Sequence, residues 1–347
     1  MTATAVLRHE VFLEHDPGFG HPESPERLRV IHAALDQPAA QVGLIFPDFA
    51  PATAAELALN HTRPHIARVA ATAGQTYAML DPDTLTSPRS YEAACLAAGA
   101  AIAGVRLVMT GAVKNGFALV RPPGHHAEAD HTSGFCLFNN IAIAARYALD
   151  KLGAGRILIV DWDLHHGNGT QHSFYDTDQV LYFSTHQYPC FPGSGGVHEI
   201  GQGAGEGYTV NVPLPGGQDD RAYARIFREL LCPVARQFHP DLMLVSAGFD
   251  IYQDDPLGTM AVTVQGFAYL TRLLMRLAAE LCQERLLLVL EGGYHLTGER
   301  DGVLAVLAEL AGRSLLAPAV VEGLDTAAPP LPALDDARNI AKKYWSL

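Results

Sequence analysis

Residues 156–169, RILIVDWDLHHGNG, constrain the fold more than any other stretch of the chain. An aliphatic and β-branched run from Ile157 to Val160 ends abruptly in two aspartates and two histidines. A run with no polar face fits a parallel strand covered on both sides. Asp161, Asp163 and His165 share parity, so an extended chain points them one way and Trp162 and Leu164 the other. Taken alone, such a triplet is explained equally well by turn capping and solvated histidines. The pattern recurs, however. Gly116–Val120 runs into Arg121-Pro-Pro-Gly-His-His126, Leu242–Ala247 into Gly248-Phe-Asp250, and Leu286–Leu290 into Glu291-Gly-Gly-Tyr294. In open α/β sheets the ligand crevice lies outside the carboxyl ends of the strands, so these polar signatures are assigned to one site.

Helical patterns separate the apolar runs, which predicts an α/β fold with a mostly parallel central sheet and helices on both faces. Helices are predicted over 24–37 and 87–109, each opened by Ser-Pro, and over 139–152, stopped by Gly153. Others are predicted over 220–238, bent at Pro233, and over 264–284. Thr53 and Glu56 have the spacing of a capping box. The Ala- and Pro-rich tail 315–332 reads as an extended surface strap before a last helix over 335–344. No linker divides the 347 residues, so one catalytic domain spanning 1–347 is expected.

Hydrophobic residues make up 48% of the chain and charged residues 18%. There is no run of about 18 uncharged apolar residues for a membrane span, and the first residues do not read as a secretory signal. A cytoplasmic protein without a membrane partner is expected. Cys95, Cys136, Cys190, Cys232 and Cys282 contain no C-x-x-C pair, so reduced thiols are expected. A formal net charge of −13 argues against nucleic acid and mildly favours a cationic partner. The glycine-rich 201–207 lacks the Lys-Ser/Thr of a phosphate loop and precedes a strand-like run, which argues against nucleotide binding.

Asp163, His165 and Asp250 are the candidate ligands of a divalent ion, with Asp255 as a rival to Asp250. Three protein ligands leave a position open, as catalytic sites do. Zinc (Zn2+) accepts this donor set, and so do iron(II) and cobalt(II). An ion there can polarise a carbonyl and lower the pKa of its water to roughly 7. His125 and His126 are candidate proton carriers, with Asp161 and Asn168 available to orient them. Tyr294, beside Gly292-Gly293, is a candidate oxyanion donor. Together these groups describe amide or ester hydrolysis without a serine or cysteine nucleophile.

The strings RPPGHHA, GFCLFNN, DWDLHHGNGT, FPGSG, SAGFD and EGGY, in this order, resemble the histone deacetylase and acetylpolyamine amidohydrolase family. The resemblance runs from His21 to Tyr294, and Trp162, Asn168 and Glu291 make it closer to class II and bacterial members. It implies an arginase/deacetylase-like fold with about eight strands. It implies Asp163, His165 and Asp250 as zinc ligands, His125 and His126 as a tandem pair, and Tyr294 as oxyanion donor. It further implies a channel for acyl-lysine flanked by Phe135 and Phe191, with Gly134 at its lip and Leu257 at its rim. A structural potassium ion (K+) is implied at Asp161, Asp163, His165 and Ser184. Asn168 stands where class I members carry Asp, which favours His126 as the neutral proton shuttle and leaves His125, beside Asp161, cationic.

Removal of acetyl or other short acyl groups from lysine side chains is therefore the expected activity, on an acylated peptide or protein or a small acylated amine. Acetylpolyamine deacetylation is the alternative, and a catalytically weak acyl-lysine-binding pseudoenzyme is a third. A two-manganese ureohydrolase needs more aspartates than the motifs supply. Homo-oligomerisation is left open.

Overall fold

The computed structural model describes residues 3–326 and 330–347. Its strands, in chain order, are β1 (Thr4–Leu7), β2 (Leu44–Ile45), β3 (Ala78–Asp81), β4 (Thr84–Thr86), β5 (Asn115–Ala118), β6 (Ile157–Asp161), β7 (Val180–Gln187), β8 (Thr209–Leu214), β9 (Leu242–Ala247) and β10 (Leu286–Leu290). β3 and β4 pair as a small antiparallel ribbon, and the other eight form one sheet in the order β2-β1-β5-β10-β9-β6-β7-β8. Every pairing in that sheet is parallel. Each residue of β5, β6, β9 and β10 is buried, as a sheet covered on both faces requires.

The strand order determines where a site can form. From β6 the chain moves outward through β7 to β8, then returns to lay β9 on the other side of β6 and β10 between β9 and β5. Loops leaving β6 and β9 therefore diverge, opening a crevice at their carboxyl ends. The four strands that carry polar signatures, dispersed in sequence, are contiguous in space as β5-β10-β9-β6.

The helix Ser90–Met109 is long and apolar enough to cross a membrane but is mostly buried within the protein, which accounts for apolar residues around its circumference. It begins three residues after the expected Ser87, whose hydroxyl instead donates to Glu14 O at 2.9 Å. Likewise Glu26–Leu35 starts after Pro25, which carries no side-chain cap. Asn139 caps Asn140–Leu152, Gly153 at φ 72° closes it, and the Thr53/Glu56 capping box is present. The expected helix 220–238 is interrupted by a π turn, Phe227–Leu231, just before Pro233. Pro233 has no N–H and its ring crowds the preceding turn, so the wider turn accommodates it. Val264–Leu281 stops short of Glu284 because Gln283 and Glu284 take positive φ.

The tail departs from the expected extended strap. Pro318–Asp325 is a helix, started by Pro318, whose fixed φ suits a first turn. It is tied down where Arg228 donates to Leu324 O and Tyr269 to Asp325. The expected strap also includes 327–329, which lie outside the described residues. The last helix is Pro332–Ala341, three residues earlier than predicted at both ends, again with proline in its first turn. It buries Leu334, Ala337 and Ala341 over the edge strand β8, and Trp345 Nε1 donates to Gly207 O at 3.0 Å. Edge strands left open invite pairing with other chains, and this helix covers one. Replacing the fully buried Leu334 by Ala should cost about 2–3 kcal/mol. Urea unfolding is expected to show a lower midpoint with an unchanged slope; an unchanged midpoint would remove the helix from the stability account.

Candidate active site

Loops from the four adjacent strands converge on one cavity. Asp161 ends β6, and Asp163 and His165 follow it; Asp250 lies three residues beyond β9. One ligand atom from each of Asp163, His165 and Asp250 lies within 4.8 Å of the others. His165 Nδ1 is 3.2 Å from Asp163 Oδ1 and 3.1 Å from Asp250 Oδ2. The remaining carboxylate oxygens are held by backbone donors: Gly292 N to Asp163 Oδ2 and Leu164 N to Asp250 Oδ1, each at 2.8 Å. One oxygen of each aspartate thus stays turned toward the imidazole nitrogen. Both aspartates are fully buried. Burial, and then the charge of Asp163, pushes the Asp250 carboxyl up to about 7. Two such carboxylates resist ionising together unless a positive charge joins them. Asp163 moves the other way: burial would raise its carboxyl, but His125 and His165 hold it well below the usual carboxylate range. The donor set fits a divalent cation.

Asp255 is not part of this cluster. Its Oδ2 accepts from the backbones of Tyr294 at 2.7 Å and His295 at 3.1 Å, and its Oδ1 from Leu257 N at 3.0 Å. It ties the tyrosine loop to the rim of the cavity.

The tandem histidines occupy different environments. His125 Nδ1 meets Asp161 Oδ2 at 3.1 Å, and Nε2 is 3.7 Å from Asp163 Oδ1. Burial opposes its protonation, but Asp163, Asp161 and Glu291 outweigh that and push its pKa up to about 10. His126 Nδ1 meets Asn168 Oδ1 at 2.8 Å. Burial, then the charges of His125 and His165, holds His126 well below the usual histidine range. The surroundings thus favour the cation at His125 and the neutral ring at His126.

The cavity, of about 150 Å³, is lined by Asp83, His126, Gly134, Phe135, His165, Phe191, Leu257 and Tyr294. Phe191 lies edge-on to His126 at 5.1 Å and to His165 at 6.2 Å between ring centres; Phe135 meets Tyr294 edge-on at 6.1 Å. Gly134 has φ +54°, and a Cβ there would sit 2.4 Å from His126 Cδ2, so only glycine lets this lip approach the histidine. Phe135 follows at φ 69°, a costly conformation for a bulky residue, held in place by Thr84 Oγ1 accepting from its N–H at 3.1 Å. Burial raises the Tyr294 pKa well above its usual value despite the opposing Arg27, so Tyr294 remains a proton donor. Ser184 pairs in register with Asp161 on the neighbouring strand, and its hydroxyl meets His186 Nδ1 at 2.9 Å.

Sequence reasoning missed several contributors. Arg27 is fully buried under the site and donates to Gly293 O and Glu291 O, both at 2.6 Å, and to Glu299 Oε1 at 2.8 Å. It anchors the backbone that carries Tyr294. Glu291 is already part of the strand-end signature, but its role is not legible there: it accepts from Gly124 N at 2.7 Å and His125 N at 3.1 Å and so cradles the histidine loop. Asp83, from the β3–β4 turn, lines the cavity beside Gly134. Glu128 stands behind Asn168, whose Nδ2 donates to Glu128 Oε1 at 2.6 Å. Capping boxes and strand periods carry no signal for such long-range pairings. Glu128, two residues after His126 and ahead of no helix, was the most accessible of them.

A histone deacetylase domain family model matches residues 21–310. The chain is 41% identical to histone deacetylase 15 of Arabidopsis thaliana over 94% of its own length, and spans 59% of that longer protein. It is 37% identical to a probable deacetylase of Archaeoglobus fulgidus, covering 99% of this chain and 98% of the relative. The crystal structure of the HDA15 HD domain is similar with a TM-score of 0.90 and 40% identity, over 99% of this chain and 95% of that one. With this match joined to the eight-stranded parallel sheet and the sites at its strand ends, the chain belongs to the histone deacetylase family, enzymes that hydrolyse amide bonds.

Proposed function

We propose that this chain is a zinc-dependent deacylase that removes acetyl or other short acyl groups from lysine side chains. The observation that carries this reading is the meeting of three mutually adjacent candidate metal-ligand atoms with His126 and Tyr294 at one small, partly aromatic cavity. Asp163, His165 and Asp250 would hold the ion, which supplies Lewis acidity toward the acyl carbonyl and a water of lowered pKa. The ion is written as zinc from the mixed nitrogen and oxygen donor set, which iron(II) and cobalt(II) also satisfy. His126, neutral and held at Nδ1, takes a proton at Nε2 from the attacking water and returns it to the departing amine. His125 keeps its proton against Asp161 and stabilises developing negative charge. The Tyr294 hydroxyl donates to the oxyanion. Phe135 and Phe191 exclude water along the slender acyl-lysine stem, and Gly134 keeps the lip open. A potassium ion at Asp161, Asp163, His165 and Ser184 belongs to the same reading, supported by the buried Asp161, which pairs in register with the buried Ser184 of β7.

Acetylpolyamine is the second substrate, and Asp83 in the cavity lining is the observation that favours it. Burial, and then the neighbouring Asp81, raises the Asp83 carboxyl above its usual range, which weakens its attraction for a polycation. The rim position Leu257 is apolar and 39% exposed, which suits a peptide flank better than an ammonium chain. Acyl-lysine is accordingly ranked first. Turnover of acetyl-lysine peptide should exceed that of acetylspermidine under equal metal loading; a large preference for the polyamine overturns the ranking.

Tyr294→Phe should lower kcat by about 10²–10³-fold while leaving metal content unchanged. Wild-type turnover in that variant would remove the oxyanion role, and complete inactivity of the wild-type chain toward every acylated amine would favour the binding-only alternative. Asp250→Asn should abolish tight binding of a divalent ion, measured by dialysis and elemental analysis. Asp255→Asn should retain the ion while lowering turnover, and the reverse order would exchange the two aspartates as ligands.

A further inference from the structure

The catalytic reading of His126 requires one tautomer, and the structure shows what selects it. An asparagine can present either its oxygen or its nitrogen to an imidazole, and that choice decides which ring nitrogen carries the proton. Asn168 places Oδ1 2.8 Å from His126 Nδ1. Its Nδ2 faces two acceptors, Glu128 Oε1 at 2.6 Å and His126 O at 3.3 Å. Glu128 Oε1 is the acceptor in its bond with Nδ2, so Nδ2 turned toward Glu128 leaves Oδ1 toward His126. Oδ1 in turn only accepts, so Nδ1 bears the proton and Nε2 keeps its lone pair on a ring that lines the cavity.

We propose that Glu128 is a positioning residue that fixes the Asn168 amide and, through it, the reactive tautomer of His126. The proposal rests on His126 acting as the base. Glu128 is itself well placed for this. Its backbone N–H donates to His131 O at 3.0 Å, and its carbonyl meets His61 Nδ1 at 2.9 Å. Its side chain is only 12% exposed, and the same Oε1 meets His172 Nδ1 at 2.8 Å on the solvent side. A carboxylate thus stands behind the amide: Asn168 keeps formal charge off His126, and Glu128 supplies the polarity that a free amide lacks.

The test compares Glu128→Ala, Glu128→Gln and Glu128→Lys in the zinc-loaded enzyme on an acetyl-lysine peptide. Glu128→Ala leaves the amide only its longer bond to His126 O and should lower kcat by about 10–100-fold with KM and metal content unchanged. Glu128→Gln can still offer an oxygen to Asn168 Nδ2 and should restore most of that loss. Glu128→Lys offers only donors, turns the amide over and should be worse than Glu128→Ala. Long-range proton–nitrogen spectra of histidine-labelled protein supply a readout independent of turnover. They should show His126 protonated at Nδ1 in wild type and at Nε2 in Glu128→Lys. Equal kcat in all three variants, or an unchanged His126 tautomer in Glu128→Lys, overturns the proposal. Retained turnover in His126→Ala would instead overturn the reading of His126 as base, a separate outcome.

Discussion

Four carboxylates, Asp161, Asp163, Asp250 and Glu291, are fully buried at the carboxyl ends of adjacent strands, and the rest of the site exists to make that tolerable. Isolated buried charges are costly enough that a group ordinarily gives up its charge unless it is paired and hydrogen-bonded. Here the answer comes from several directions. The His125 ring lies against Asp161, backbone N–H groups of Leu164 and Gly292 satisfy the outer oxygens of Asp250 and Asp163, and the backbone N–H groups of Gly124 and His125 donate to Glu291. Asp163 and Asp250 each turn one further oxygen toward His165, and this buried donor set is one that could hold a cation.

Geometry alone does not keep such a cluster in register; the layer below it does. Arg27 reaches Gly293 O, Glu291 O and Glu299, while Arg121 pairs with Glu23, itself bonded to Arg27 and His15. Removing one partner of a buried ion pair leaves an uncompensated charge, so each member of this layer is costly to lose. The layer holds the backbone of the Gly292-Gly293-Tyr294 loop, where a Cβ on Gly292 would come within 2.5 Å of Asp250 Oδ2. The tyrosine, the ligand carboxylates and the histidine loop are therefore parts of one hydrogen-bonded body.

The sheet and the polar clusters at its strand ends were legible because each depends on short-range pattern, whereas Gly134, Phe135, Phe191, Leu257 and Ser184 were named only through the family resemblance. Four apolar runs ending in Asp, His or Glu are strands with a polar mouth, and their parity and spacing are local facts. Helix boundaries followed the same logic at Asn139 and Gly153, where side-chain and αL caps are written in single residues. Other features depend on partners far along the chain. Ser87 bonds Glu14 instead of capping, Pro318 starts a helix because Arg228 and Tyr269 secure its end, and Arg27 looks like any helix arginine until Gly293 is folded over it. Asp83 and Glu128 were missed for the same reason, although Glu128 lies only two residues from a histidine already singled out.

The most direct test of the account is titration of metal-free chain with zinc, following thermal unfolding and hydrolysis of an acetyl-lysine peptide in the same samples. If the donor cluster of Asp163, His165 and Asp250 defines the site, the unfolding temperature and the turnover should rise together and both level off at one equivalent per chain. Full turnover in the metal-free chain, or a plateau reached only at two equivalents, would contradict it.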